Sequence, residues 1–288
     1  MTDQPPPAPE AQSTSFLRDL SDAMPRLESY RFHSAILPDP EHRALLLYLP
    51  REYAQQPTKH FPVLYLHDGQ NLFDERTAFI PGHPWFAHIT ADQLVAEGAI
   101  EPLILVGIAN TGLRRVAEYT PTPDPKHGGG EGDRYGRLLL EEVKPFVDRT
   151  YRTLPEPEHT GLGGSSLGGL ISLYLGLQYP NVFRKLAVMS PSLWWDQRSI
   201  LALVQTLVER FSPRPPLRIW LDMGMEEGLR HLHDTDQLFQ ILQSLGWRPD
   251  LDLHYRRIAG AGHNEDAWGE RFGDVLRFLY LRSPHRAE

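Results

Sequence analysis

The 288-residue chain contains no Cys, 26 Pro and 23 Gly, and its 29 basic and 37 acidic residues give a net charge of −8. Without thiols there is no disulfide framework, no Cys-ligated zinc or iron–sulfur centre and no cysteine nucleophile, which leaves Ser, Thr, His and the carboxylates to carry chemistry. The negative charge repels phosphate backbones and anionic lipid, so a small molecule is the expected partner rather than nucleic acid or a membrane.

The first fifteen residues, MTDQPPPAPEAQSTS, have no basic n-region and no apolar core. Neither a secretory signal nor an anchor is expected there, and the protein is expected in the cytoplasm. Prolines and small polar residues cannot bury enough surface to order themselves, so residues 1–15 are predicted to be a flexible tail ahead of one domain over 16–288. No apolar run approaches the roughly 20 residues of a membrane span. Glu28–Leu37 and Arg43–Leu49 read as two strands joined by a Pro-Asp-Pro turn, an antiparallel hairpin that leads a sheet. Six short apolar runs follow: Phe61–Leu66, Leu103–Ile108, His159–Leu162, Lys185–Met189, Leu217–Leu221 and Leu251–Tyr255. Such runs suit strands buried on both faces. Helical patterns lie near 90–98, 135–151, 167–179, 197–209, 229–245 and 265–281, which repeats the β-α-β crossover along the chain. The expected class is α/β, with a mostly parallel sheet of about eight strands and helices on both faces. Long loops are expected at about 68–90 and 110–134, where function or mobility is common.

The sharpest motif is Gly163-Gly164-Ser165-Ser166-Leu167-Gly168-Gly169, between the fifth predicted strand and the helix after it. It holds G-x-S-x-G once, because only Ser166 has Gly at both −2 and +2. A serine on a sharp strand-to-helix turn adopts strained dihedrals, and its neighbours must lack Cβ for strand and helix to approach. The string alone is a weak signal, and its place after the fifth strand strengthens it. A phosphate-binding reading fails, since no Lys follows the glycines and Ser166 stands where a dinucleotide motif needs its third Gly.

A serine nucleophile needs a base, and the base an orienting acid, expected in the order Ser, acid, His in loops after later strands. The seventh strand is followed by Asp222-Met-Gly-Met-Glu226-Glu227-Gly228, the eighth by Ala259-Gly-Ala-Gly262-His263-Asn264-Glu265. Of thirteen histidines, His263 alone sits in a Gly-rich turn just before the final helix, which makes it the expected base. Glu227, three residues past Gly224, is the favoured acid and Asp222 the alternative; glutamates at a helix start also suit the dipole there. Oxyanion donors are expected from the backbone N–H of Leu167 and of Gln70, where Gly69 would permit the turn that aims the next amide inward. Asp68 and His67 are expected to be structural. His231-Leu-His233-Asp234-Thr-Asp236 looks like a clustered metal-ligand motif, but Thr235 stands where Asp is needed and Asp236 where His is needed.

HDGQNLFD, VGIANTGLRRVAEYTP, GSSLGGL, SPSLWWD and GAGHNEDAW occur in the order and spacing of the putative-esterase branch of the α/β-hydrolases. The chain resembles this branch, which includes enterochelin-esterase-like and feruloyl-esterase-like proteins, from about residue 28 to 282. The resemblance implies an α/β-hydrolase domain and carboxylic-ester hydrolysis through an acyl-enzyme, without metal or organic cofactor. It places the nucleophile on Ser166, the base on His263, the acid on Glu227 and the oxyanion amides on Gln70 and Leu167. Some siderophore-type relatives are described as Ser-His dyads, and related mycolyltransferases pass the acyl group to a sugar. Acyl transfer is therefore one alternative, and a non-catalytic binding protein of the same fold another.

Trp194 and Trp195 are candidate substrate contacts, with ordinary packing as the alternative. Arg115 could clamp a carboxylate or a polar leaving group, the blander reading being a loop charge paired with Glu118. Few residues separate the sixth strand from its helix, so no cap domain is expected over the cleft. The expected substrate is a small soluble ester of short-chain, aryl, acylated-sugar or siderophore type.

Overall fold

A computed structural model describes residues 26–37 and 42–282. The predicted tail and the Pro-Asp-Pro turn lie outside the described residues. Eight strands form one sheet: β1 (Leu27–Phe32), β2 (Arg43–Tyr48), β3 (Val63–His67), β4 (Ile104–Ile108), β5 (Thr160–Ser165), β6 (Lys185–Met189), β7 (Arg218–Gly224) and β8 (Leu253–Ile258). Their spatial order is β1-β2-β4-β3-β5-β6-β7-β8. β1 pairs antiparallel with β2, and β2 with β4, while every pairing from β4 to β8 is parallel. Six longer helical segments flank the sheet: α1 (Ala87–Ala96), α2 (132–150), α3 (Leu167–Gln178), α4 (Ser199–Glu209), α5 (Leu229–Ser244) and α6 (Glu265–Tyr280). A π-helical turn, Leu138–Val143, interrupts α2.

The alternation of side chains along a strand divides the core in two. Leu45, Leu47, Val63, Tyr65, Ile104, Val106, Leu186, Val188, Ile219 and Leu221 face one side and pack with α2, α3, α4 and α5. Leu46, Tyr48, Leu64, Leu66, Leu105, Met189 and Trp220 face the other and pack with α1 and α6 through Trp268, Phe272, Val275 and Leu276. Helices therefore cover both faces, as the runs of apolar residues predict. Residues 190–198 alone join β6 to α4, which leaves no room for a cap domain there.

Several strand boundaries differ from expectation by two or three residues, as at β7 and β8, and two differences matter most. β1 ends at Phe32 rather than Leu37. β5 runs on to Ser165, through glycines that read as a turn, because Gly163, Gly164 and Ser165 continue the parallel ladder opposite Ala187, Val188 and Met189. At Gly163 a Cβ would lie 2.5 Å from that of Ala187, so a missing side chain here serves strand packing rather than a turn.

The first turn of α3 presses equally hard on β6. A Cβ at Gly169 would sit 2.7 Å from the Met189 carbonyl oxygen and 3.3 Å from that of Gly164. Gly169→Ala is expected to lower unfolding free energy by about 1–3 kcal/mol, the usual scale of overpacking, as read from a urea transition. An unchanged midpoint contradicts this close approach.

Candidate active site

Parallel strands bring the loops at their carboxyl ends to one rim, where open α/β sheets place their ligands. β5 delivers Ser166, which has φ 60° and ψ −123°, a conformation that side-chain-bearing residues rarely adopt. The flanking glycines show why. A Cβ at Gly164 would lie 3.2 Å from Gly168 backbone atoms, and both glycines face the His67 Cβ at 3.1–3.2 Å. The Ser166 N–H donates to Met189 O at 3.1 Å, and its carbonyl accepts the Ser192 N–H at 3.0 Å, so the turn is clamped onto the end of β6.

The loop after β8 carries His263, whose Nε2 lies 2.9 Å from Ser166 Oγ and whose Nδ1 lies 2.6 Å from Glu227 Oε2. Trp268 holds the imidazole edge-on, with ring centroids 4.8 Å apart and planes at 85°. Glu227 ends a one-turn helix, Met225–Glu227, directly after β7, and its side chain is only 3 % exposed. Its Oε1 accepts the Gly224 N–H at 3.0 Å and the Ser190 hydroxyl at 2.5 Å. Burial pushes the Glu227 carboxyl pKa up, but donors from His263, Ser190 and Gly224 outweigh it and hold the group below the usual carboxylate range. The acid and histidine loops also touch directly, through the Glu226 N–H and Ala261 O at 3.1 Å.

Asp222, the alternative acid, points elsewhere. It is fully buried; Oδ1 accepts Arg271 Nη2 and the Ser190 N–H, both at 3.0 Å, and Oδ2 accepts Trp220 Nε1 at 2.6 Å. Of the two carboxylates, Glu227 alone is bonded to His263.

The predicted oxyanion donors both stand in the first turn of a helix, where N–H groups lack intrahelical acceptors. Leu167 opens α3, and Gln70 is the middle residue of the short turn Gly69–Asn71. β3 and β5 are neighbours, pairing Leu66 with Gly163, so the two amides come to the same rim. The physical role of Gly69 differs from expectation. Asp68, at φ 55° and ψ 45°, makes the left-handed turn. Gly69 instead allows contact with β4, since a Cβ there would be 2.4 Å from the Gly107 carbonyl carbon.

Arg115 and Trp195 both find partners within the protein. Arg115 donates from Nε and Nη2 to the two oxygens of Asp68 at 2.8 and 2.7 Å, so its forked face is occupied and it anchors the turn that carries Gln70. Nor does it pair with Glu118, whose buried carboxylate takes Arg43 Nη2 at 2.9 Å. Trp195 is 2 % exposed and donates its indole N–H to Thr122 O at 2.8 Å, which makes it a packing residue. Trp194 remains in the cleft wall. His67 is structural in setting: Nδ1 meets the Tyr135 hydroxyl at 2.9 Å, and burial lowers its pKa to about 3, leaving it neutral.

The cleft beside the serine has a volume of about 210 Å³ and is walled by Ser190, Ser192, Trp194, Met223, His231 and His263. A larger cavity, about 540 Å³, is lined by Arg26, Tyr48, His88 and Asp92. It lies at the opposite end of the sheet, since antiparallel β2 sets Tyr48 against Leu105 near the amino end of β4. Among the described residues no three His, Cys, Asp or Glu side chains converge as a metal site. Asp234 pairs with Arg198, and Asp236 with Arg257. Ser190, Ser192, Trp268 and Arg271 are site residues that the sequence reading passes over. Ser190 and Ser192 sit in the SPSLWWD segment, where the tryptophans drew attention first.

The chain matches the family described as "Putative esterase" over residues 39–279. It is 28% identical over 253 residues to the protein YbbA of Bacillus subtilis, covering 83% of this chain and 93% of that one. To the ferri-bacillibactin esterase BesA of the same organism it is 26% identical over 244 residues, 77% of this chain and 80% of the relative. The solved structure of the BES protein from Bacillus cereus superposes with a TM-score of 0.73 at 20% identity, over 89% of this chain and 95% of that one.

Asp222→Ala leaves Arg271 as a buried charge without its partner. It is expected to cost about 3–5 kcal/mol of stability, measured by denaturant unfolding. A loss below about 1 kcal/mol contradicts a holding role for Asp222.

Proposed function

The chain belongs to the putative-esterase family and is a carboxylic-ester hydrolase, and from that premise we propose that it acts through an acyl-enzyme on Ser166. The observation that carries the reading is the unbroken chain from Ser166 Oγ through His263 to Glu227, at 2.9 and 2.6 Å. His263 Nε2 takes the serine proton as Oγ attacks the ester carbonyl. The Gln70 and Leu167 amides receive the charge that develops on the carbonyl oxygen. Protonated His263, stabilised by the Glu227 carboxylate, then gives its proton to the leaving alkoxide. Water attacks the acyl-enzyme by the same route, and the acid leaves with Ser166 restored.

The cleft suits a small substrate. Its volume of about 210 Å³ admits a compact acyl or aryl group against Trp194, while the absence of a cap beyond residues 190–198 leaves the alcohol side open to a bulkier, polar portion. A relative is named a ferri-bacillibactin esterase, which supports a small-molecule ester as the substrate. The substrate class we propose is therefore a small-molecule ester with a compact acyl part. His231 and Ser192 are polar side chains lining the cleft that could meet it, whereas Arg115 is bound to Asp68.

Ser166→Ala is expected to lower kcat on an activated ester by at least about 10³-fold, with a melting temperature within a degree or two of the parent. Glu227→Gln is expected to lose activity as well, but less than Ser166→Ala. Parent-like turnover in Ser166→Ala overturns the mechanism; parent-like turnover in Glu227→Gln removes Glu227 from it.

A further inference from the structure

The support behind Glu227 comes from segments far apart in the chain. Ser190 directly follows β6, is 1 % exposed and has a positive φ of 38°. Its hydroxyl oxygen lies 2.5 Å from Glu227 Oε1, 2.6 Å from Arg271 Nη2 and 3.1 Å from Trp268 Nε1. Guanidinium and indole nitrogens can only donate. They fill both acceptor sites of the hydroxyl, so its one proton has a single destination, Glu227 Oε1. The Gly224 N–H donates to the same oxygen. Oε1 is thereby enclosed by donors, and Oε2 is left for His263 Nδ1.

We propose that Ser190 is a positioning residue that commits Glu227 to accepting on both oxygens and thereby holds His263 in the tautomer with its proton on Nδ1 and its lone pair toward Ser166. This inference rests on the reading of Ser166, His263 and Glu227 as a triad. Asp222 and Arg271 complete the device. Asp222 Oδ1 fixes the Ser190 backbone N–H and the Arg271 guanidinium together, and Arg271 Nη1 is tied to Ala267 O at 2.8 Å, so the donor aimed at Ser190 cannot swing away. Arg271 itself stays 3.9 Å from Glu227 Oε1, too far for a hydrogen bond, and reaches the acid only through the serine.

The direction of the Ser190 proton becomes visible when Glu227 is replaced by Gln. An amide has one acceptor oxygen and one NH₂ group. With Ser190 and Gly224 both donating at the Oε1 position, the amide oxygen must lie there and the NH₂ must face His263 Nδ1. The imidazole then carries its proton on Nε2, against Ser166, and cannot act as a base. Without the Ser190 hydroxyl the amide is freer to turn, and the productive tautomer becomes accessible again.

The experiment is a double-mutant cycle on hydrolysis of p-nitrophenyl acetate, with kcat and KM measured for the parent, Ser190→Ala, Glu227→Gln and the pair combined. Ser190→Ala is expected to lower kcat about 10–100-fold, the scale for outer partners of an active-site group, with KM nearly unchanged. In the Glu227→Gln background the same change is expected to cost nothing or to raise kcat. Ser190→Cys keeps the volume but has a weak donor; it is expected to fall between parent and Ser190→Ala, and it carries the comparison if the alanine variant does not fold. A parent-like kcat in Ser190→Ala, or equal losses from Ser190→Ala in both backgrounds, overturns the positioning role. Ser166→Ala, run alongside, separates the two readings: if it matches the parent the triad itself has failed, whereas a large gap with an unaffected Ser190→Ala sinks the positioning role alone.

Discussion

The arrangement at the sheet's carboxyl rim depends on one backbone constraint, the positive φ of Ser166 between a strand and a helix that nearly touch. Such a conformation is uphill for a residue with a side chain and persists only where its surroundings over-determine it. Here they do so from three directions. The Ser166 amide and carbonyl are both bonded to the β6 end, Gly164 and Gly168 close on each other and on His67, and Gly169 lies against Met189 O. The hydroxyl is thereby lifted out of the sheet, toward the histidine. A Cβ at Gly169 would collide with Met189 O, and one at Gly164 or Gly168 would crowd His67, so the missing side chains are what let strand and helix meet. Helix α3 cannot yield instead, because residues Leu167 to Leu177 are buried all along its length.

Charge at the rim is arranged in two separate sets. Around Glu227 and Asp222, the donors Ser190, Gly224, Arg271 and Trp220 satisfy buried carboxylates, so one of them can present a fixed oxygen to His263. Around Asp68, the donors Arg115 and Asn110 brace the turn that carries Gln70. Glu265 joins the two sets. It follows the histidine loop at the start of α6, its carboxyl pKa is raised by burial, and Asn71 Nδ2 meets it at 3.3 Å. The loop bearing His263 and the loop bearing the proposed oxyanion donor are thus tied together, which suits a site whose parts must keep one geometry as charge moves between them.

Much of this is legible in the residues. Short apolar runs mark the six later strands, a hairpin pattern the first two, and helical periodicity the six longer helical segments, because both faces of the sheet must be covered. The G-x-S-x-G spacing singles out Ser166, and chain order leads to Glu227 and His263. What is not legible is contact across long separations. Nothing local ties Ser190 to Asp222 and Arg271, or Arg115 to Asp68 forty-seven positions away. Adjacent Trp194 and Trp195 look alike as letters, yet the chain turns so that one lines the cleft and the other is sealed against Thr122. Glycine is ambiguous for the same reason: at 163 and 69 it permits strand packing and close approach, where a turn was the local reading.

Whether Ser166 is an activated nucleophile is read out by covalent labelling. A fluorophosphonate reacts with serines whose proton is taken by a neighbouring base, and intact mass reports the bond that forms. One adduct per chain is expected, mapped to Ser166 and absent from Ser166→Ala. An unmodified chain, or equal labelling of the two proteins, would contradict it.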